Sequence, residues 1–185
     1  MVMPEINIKR ATPDDATIIA HLSKITFEDT FTGTCTDEDM QSFVESCFSP
    51  TETLRELKDE EDLYFIAWHN NIAAGYMRLK ENYHDYPAIE KYKALELKRI
   101  YVLKEYQSKK VGAALMAYAL KLAAEKNYEV LWLGVWEHNY KAQAFYKKWG
   151  FTDTGDSHPF PIGNTPQTDN WMIKFIEPDL LKKST

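Results

Sequence analysis

Apolar positions along the chain switch between a period of two and a helical period, and the switching predicts a mixed α/β fold. Ile6 and Ile8 mark one face of a short strand over Glu5 to Arg10. Thr12-Pro13-Asp14-Asp15 then carries helix-start chemistry: a capping hydroxyl, a first-turn proline and acids beside it. Ile18, Leu22 and Ile25 continue at helical spacing. A second helix is expected after Thr36, where Asp37, Glu38 and Asp39 precede Met40, Phe43, Val44 and Cys47. Pro50 punctuates that helix, and Thr51 to Lys58 adds a turn or two. Leu63 to Trp68 and Ile72 to Leu79 read as a hairpin about His69-Asn70-Asn71, and the polar stretch Glu81 to Lys93, containing Pro87, as a loop.

Leu95 to Leu103 predicts the next strand. Val111, Leu115, Tyr118 and Leu122 predict a helix, and Val130 to Val135 an apolar strand. Asn139 can cap a helix carrying Ala142, Phe145, Tyr146 and Trp149, which Gly150 ends. Closing strands are expected over Phe151 to His158 and Thr168 to Ile176. With no repeat, low-complexity run or linker, residues 1–185 read as a single domain.

Composition narrows the function classes. The 185 residues are 44% hydrophobic, enough for a core. The formal charge of −6 and pI near 5.4 disfavour nucleic-acid binding, which needs a basic face. The same acidity suits cationic small molecules, although many ordinary proteins share it. Cys35 and Cys47 are too few for a disulfide framework, and no Cys/His spacing points to a metal. The start MVMPEINIKRATPDD has no apolar signal run, and no segment is apolar enough to span a bilayer. A cytoplasmic location without membrane partners is the expectation.

The chemistry concentrates between Leu95 and Phe151. A strand feeds a short polar loop that enters a helix near Val111, and unpaired N–H groups at a helix start converge into an anion site. Gln107 to Ala113 could cradle a pyrophosphate, with Lys109 and Lys110 adding charge and Gly112 admitting close approach. Taken alone, such a turn is commonplace.

Its company is more specific. Gln107-Ser108-Lys109-Lys110-Val111-Gly112 resembles the CoA loop of the GNAT acetyltransferases, Gln/Arg-x-x-Gly-x-Gly/Ala. Asn139, Ala142, Phe145-Tyr146 and Gly150-Phe151 resemble that family's second motif. The resemblance implies the acyl-CoA N-acyltransferase fold, a central mixed, mostly antiparallel sheet flanked by helices, and acetyl transfer from acetyl-CoA to an amine without a metal. It implies that Ile100, Tyr101, Val102 and Leu103 pair through their backbone with pantetheine. Gln107, Ser108, Lys109, Lys110, Val111, Gly112 and Ala113 would hold the phosphates, Asn139 the pantetheine arm, and Lys148 would reach a phosphate. Lys110 departs from the pattern, standing at the loop's first glycine. If that position needs positive φ, lysine strains the backbone.

An alkyl amine is only about 0.04% free base at pH 7, a deficit of roughly 4 to 5 kcal/mol, so a base or relay water is useful. Glu96 stands where histone-acetylating relatives keep a glutamate base; as a plain strand carboxylate it would pair with Lys98 or a neighbouring strand. Tyr146 matches the tyrosine that protonates the departing thiolate, and its helical spacing also suits a core aromatic. Arg99 and Tyr101 also read as outward strand residues, and Lys148 as a solvated helix lysine.

For the acceptor, Phe27-Glu28-Asp29-Thr30-Phe31, Leu133-Gly134-Val135-Trp136-Glu137 and Gln167-Thr168-Asp169 resemble the bacterial PaiA-type spermidine/spermine N-acetyltransferases. That resemblance implies a polyamine, with Glu28, Asp29 and Glu137 facing ammonium groups and Phe31 or Trp136 supplying a cation–π face. Acetylation of a protein lysine or N-terminus, or noncatalytic acyl-CoA binding in a regulatory module, are the alternatives. Relatives often form homodimers, and no interface stripe in the sequence decides the oligomeric state.

Overall fold

The computed structural model describes residues 5–81 and 86–177. Met1 to Pro4 of the start, and residues 82–85 of the expected loop, lie outside the described residues. In chain order the elements are β1 (Ile6–Arg10), α1 (Ala16–Phe31), α2 (Asp37–Cys47), α3 (Pro50–Leu57), β2 (Asp62–His69), β3 (Ile72–Lys80), β4 (Ala94–Val102), α4 (Val111–Glu125), β5 (Val130–Trp136), α5 (Tyr140–Lys148), β6 (Thr152–Pro159) and β7 (Thr168–Phe175). Among the described residues seven strands form one sheet in the order β1-β2-β3-β4-β5-β7-β6. β4 and β5 run parallel, and the other neighbouring pairs are antiparallel. The expected mixed, mostly antiparallel sheet with flanking helices is therefore the fold.

Local chemistry explains the element ends. Asn70 and Asn71 adopt φ of 49° and 64°, the left-handed pair that a two-residue hairpin turn requires. Pro13–Asp15 forms a 3-10 turn with a capping box on Thr12, and α1 proper starts at Ala16. Pro50 separates the two helices as expected: α2 ends at Cys47, and Pro50 occupies the first turn of α3, capped by Ser49, whose hydroxyl accepts from Glu52 N at 3.2 Å. A proline there loses no helical hydrogen bond, which is why it begins a helix. Cys35 and Cys47 are both free thiols.

Two faces of the sheet carry different cores. α4 buries Val111, Leu115, Met116, Ala119, Leu120 and Ala123 against Leu95, Leu97, Leu131, Leu133 and Val135. The other face receives α1, whose Ile19 and Leu22 meet Tyr64, Ile66 and Tyr76. Arg99 and Tyr101 turn into that second face rather than outward. Tyr101 stacks on Tyr76 with centroids 6.0 Å apart, and Arg99 Nη1 donates to Tyr64 Oη at 2.9 Å and to a Glu56 oxygen at 3.1 Å. Arg78 binds Asp62 at 2.7 and 2.8 Å and Glu56 at 2.6 Å. Buried charges of this kind persist when each finds opposite partners, and the network ties α3 to the sheet.

The feature that positions the site is an interruption. β4 and β5 pair at Ala94/Val130, Leu95/Leu131 and Glu96/Trp132, and no later β4–β5 pair forms. Beyond that point β4 pairs with β3 alone, up to Val102 opposite Gly75, while β5 pairs with β7 up to Trp136 opposite Asp169. The two parallel strands splay into a wedge whose walls, among the described residues, face each other without strand pairing.

Candidate functional site

One wall of the wedge is the free edge of β4 from Leu97 to Val102, followed by the turn into α4. Gly75 sets that wall's position: a Cβ there would stand 2.6 Å from the Tyr101 carbonyl oxygen, so only glycine lets β3 approach so closely. Ile100, Tyr101 and Val102 lie along the free edge, and Leu103 N is taken up by Ala74 O at 2.9 Å. The turn after them is built from left-handed residues, Ser108 at φ 70° and Lys110 at φ 65°. Lys110 thus holds the positive φ expected of the family's glycine, at about 1 kcal/mol of strain.

α4 has no side-chain cap, so Val111, Gly112 and Ala113 present helix-start N–H groups without a capping side-chain partner. A Cβ on Gly112 would meet only Val102 Cγ2 at 3.7 Å and the Phe145 ring at 3.9 Å, both ordinary contacts. Nothing in the protein interior demands glycine there. A bare, uncapped, cation-flanked helix start is instead suited to a phosphate that approaches the backbone closely. Lys109 lies over the Tyr106 ring at 4.6 Å, which leaves it at the loop surface.

α5 faces this turn across the wedge mouth. Asn139 caps it by accepting from Ala142 N at 3.1 Å, fulfilling the ordinary N-cap role. Lys141 Nζ donates to Gln107 Oε1, while Gln107 Nε2 donates to Val102 O at 3.2 Å. These bonds tie the loop to both walls. Lys141 was not anticipated, since nothing in its spacing distinguishes it from other surface lysines. Lys148 is exposed. Tyr146 is buried between Phe145 and Phe151, with centroids 5.6 and 5.8 Å away. Burial, reinforced by the charge of Asp169, pushes its phenol well above the usual range, which keeps it protonated at physiological pH.

The opposite side of the wedge assembles side chains from distant positions. Glu96 is buried where the β4–β5 ladder ends, and its Oε1 accepts from Lys98 Nζ at 3.2 Å. Asp169 sits on β7 opposite Trp136 of β5 and His158 of β6. Its Oδ2 is 3.1 Å from the place where a Cβ on Gly134 would stand. Burial pushes the Asp169 carboxyl up to about 7, with Lys98 pulling the other way. Among the described residues Asp169 Oδ1 is buried without a hydrogen-bond partner. Asp169 lies beside this side of the wedge, and the sequence marks it only within the Gln167-Thr168-Asp169 resemblance, since a half-buried carboxylate leaves no periodic mark in a strand.

The expected acceptor residues are partly gathered. Phe31 and Trp136 meet at 5.1 Å, but Phe31 is 3% exposed and belongs to a cluster with Phe27, Phe43, Phe48 and Phe160. Trp136 Nε1 donates to Gln167 Oε1 at 2.8 Å, and Gln167 Nε2 donates to Thr34 O at 3.1 Å. Asp39 on α2 accepts from Asn164 N at 2.9 Å and from Thr165 Oγ1 at 2.7 Å. The β6–β7 loop is thereby tied over the ends of α1 and α2. Glu28 lines a groove of about 450 Å³ between α1 and α2 with Lys24, Asp37 and Glu45, and Asp29 is exposed. Glu137 follows β5 directly, its amide donating to Thr168 O at 3.0 Å and its carboxylate half-exposed. Among the described residues no group of three His, Cys, Asp or Glu gathers to hold a metal, and no helix is long and apolar enough to cross a membrane.

Comparison with known proteins places this geometry. The acetyltransferase (GNAT) family model matches residues 26–151. An uncharacterised N-acetyltransferase of the pepI 3′ region of Lactobacillus delbrueckii subsp. lactis is 30% identical over 174 residues, covering 94% of this chain and 99% of its own. A protein named spermidine N(1)-acetyltransferase from Thermoplasma acidophilum is 27% identical over 150 residues, or 79% of this chain and 88% of its own. Among solved structures, the PaiA N-acetyltransferase of Thermoplasma acidophilum in complex with coenzyme A superposes with a TM-score of 0.75 at 22% identity, covering 92% of this chain and 99% of that one.

Proposed function

This chain belongs to the acetyltransferase (GNAT) family and transfers acetyl groups, and we propose that it moves acetyl from acetyl-CoA to a small primary amine, a polyamine such as spermidine or spermine. One domain over residues 1–185 would carry the whole reaction. The uncapped start of α4, its bare Gly112 and the free β4 edge suit the phosphates and the amide-bearing arm of CoA. Ile100 to Val102 would pair with the arm as a strand edge pairs with a peptide, with Leu103 and Asn139 flanking it. Gln107 to Ala113 would hold the pyrophosphate, and Lys148 would reach a phosphate from α5. Acetyl-CoA, when bound, supplies the activated thioester.

Chemistry on the protein side needs one proton removed from the amine and one supplied to the leaving sulfur. Tyr146, buried and held protonated, suits the second task. Glu96, directly or through a water, is one candidate for the first. Trp136 would provide the ring face beside the amine, with Phe31 behind it, and Glu28, Asp29 and Glu137 would attract the more distant ammonium groups. A cytoplasmic location suits these substrates.

The observation that favours a small acceptor is the tied loop. The hydrogen bonds that join Gln167 to Trp136 and Thr34, and Asn164 and Thr165 to Asp39, would have to break to seat a peptide backbone. A thin, flexible polycation avoids that, and the spermidine acetyltransferase relative supports the same reading. Thiol release measured with spermidine, spermine, single amino acids and lysine peptides tests it. Spermidine or spermine should give the highest kcat/KM. A peptide as the best acceptor would replace this reading with the protein-acetylating one, and CoA binding without turnover on any amine would leave only the regulatory one.

A further inference from the structure

We infer that Asp169 is the catalytic residue that takes the proton from the acceptor amine. The inference rests on acetyl transfer to an amine and is independent of which amine is used. Its basis is a reach across the sheet. Asp169 is on β7, and β5 separates it from β4, yet the Lys98 ammonium of β4 acts on its carboxylate. Gly134 of β5 makes that approach open, because any side chain there would stand 3.1 Å from Asp169 Oδ2 and 3.0 Å from the His158 ring. The carboxylate thus points over the missing side chain toward the wedge, where β4 and β5 have parted. One oxygen is buried and, among the described residues, accepts nothing. Glu96 Oε1 accepts from Lys98 at 3.2 Å.

The charged and titratable groups that face Asp169 come from each neighbouring element: Lys98 and Tyr101 from β4, Tyr146 from α5 and His158 from β6. Burial outweighs Lys98 and brings the carboxyl to about 7, where a general base works best. The ammonium gives its first proton to Asp169, and the freed nitrogen pair forms the C–N bond at the thioester carbon. The C–S bond breaks with its electron pair on sulfur, which takes the Tyr146 hydroxyl proton. The second nitrogen proton then restores Tyr146, and Asp169 releases its own to water. The two groups are coupled, because the Asp169 charge is one cause of the raised Tyr146 phenol. Neutralising Asp169 in the first step therefore makes Tyr146 a readier donor in the second.

The test combines kinetics with an acceptor-free titration. With whichever primary amine releases thiol fastest, kcat/KM should fall on the acid side with an apparent pKa near 7. Asp169→Asn should lower kcat/KM at pH 7.5 by about 10²-fold or more and abolish that limb, while calorimetric acetyl-CoA affinity stays unchanged. Asp169→Glu should restore part of the rate, and Glu96→Gln should keep the limb. A limb that survives in Asp169→Asn, or disappears in Glu96→Gln, overturns the assignment. Carbon-13 NMR of aspartate-labelled protein should show one carboxyl titrating near 7 that Asp169→Asn removes; if every aspartate titrates below about 5, the assignment fails whatever the acceptor. Failure of the polyamine reading looks different: spermidine is a poor acceptor, while another amine shows the same Asp169-dependent limb.

Discussion

The two sides of the wedge are built by different means. The donor side is nearly one continuous stretch, from the free edge of β4 through the left-handed turn to the first N–H groups of α4. Under the proposed function its binding groups would be backbone atoms, and side chains would matter there mostly by being small or by supplying charge. The acceptor side gathers Glu96, Trp136, Gln167 and Asp169 with the ends of α1 and α2, and its working groups are side chains. Backbone machinery binds the same ligand across many sequences, whereas side-chain machinery can be rewritten one residue at a time. Under the proposed function, the donor wall would therefore tolerate side-chain change better than the acceptor wall.

Tyr146 stands where the two sides meet, and its removal should give the largest effect. Tyr146→Phe keeps the packing against Phe145 and Phe151 and removes only the hydroxyl. General-acid catalysis contributes about 10²- to 10⁴-fold, so kcat should fall within that range while acetyl-CoA affinity changes little. Stopped-flow thiol release and calorimetry measure the two quantities separately. An unchanged kcat would take Tyr146 out of the chemistry; a matching loss of affinity would assign it to the donor wall instead.

The same division explains what was legible in the sequence. Strand and helix periods placed every named element to within a few residues, because each buries one face in a core. The turn into α4 was legible because Gly112 and its neighbours must occupy fixed places relative to a helix start, and the question raised by Lys110 is answered by its φ of 65°. Pro50 was legible as the break between two helices, because proline follows a helix end and opens the next helix without losing a hydrogen bond. The inward turn of Arg99 and the bond from Lys141 to Gln107 were illegible, since both depend on partners far along the chain. Asp169 is the clearest case: its environment comes from β4, β5, β6 and α5 together, and no local pattern encodes such a pocket.

A stability measurement sharpens the acceptor side next. A carboxyl raised from 3.8 to about 7 binds its proton more tightly in the folded state. Its contribution to stability is fully present below pH 3.8 and is lost as pH rises through 7. Asparagine cannot ionise, so Asp169→Asn should gain on the parent protein over that window, by about 4 kcal/mol at pH 9 and by little near pH 4. Denaturant unfolding at the two pH values reads the difference. An equal effect at both would mean that Asp169 is not held against ionisation by burial.

The smallest effect is expected on the donor side, and it tests whether backbone atoms carry that site. Lys110→Gly restores the residue that a left-handed position prefers and relieves strain of about 1 kcal/mol, less the extra freedom glycine has when unfolded. For a chain of this size the melting temperature should rise by roughly 2 to 4 °C at most. The same change removes a cation beside the uncapped helix start. If the α4 N–H groups hold the phosphates, that loss is a screened surface interaction worth under about 1 kcal/mol, and acetyl-CoA affinity should fall by less than about fivefold. The fall should shrink as salt is raised. A drop of a hundredfold would mean that Lys110 is a principal phosphate ligand, the donor site would then depend on side chains as the acceptor site does, and the contrast between the two walls would collapse.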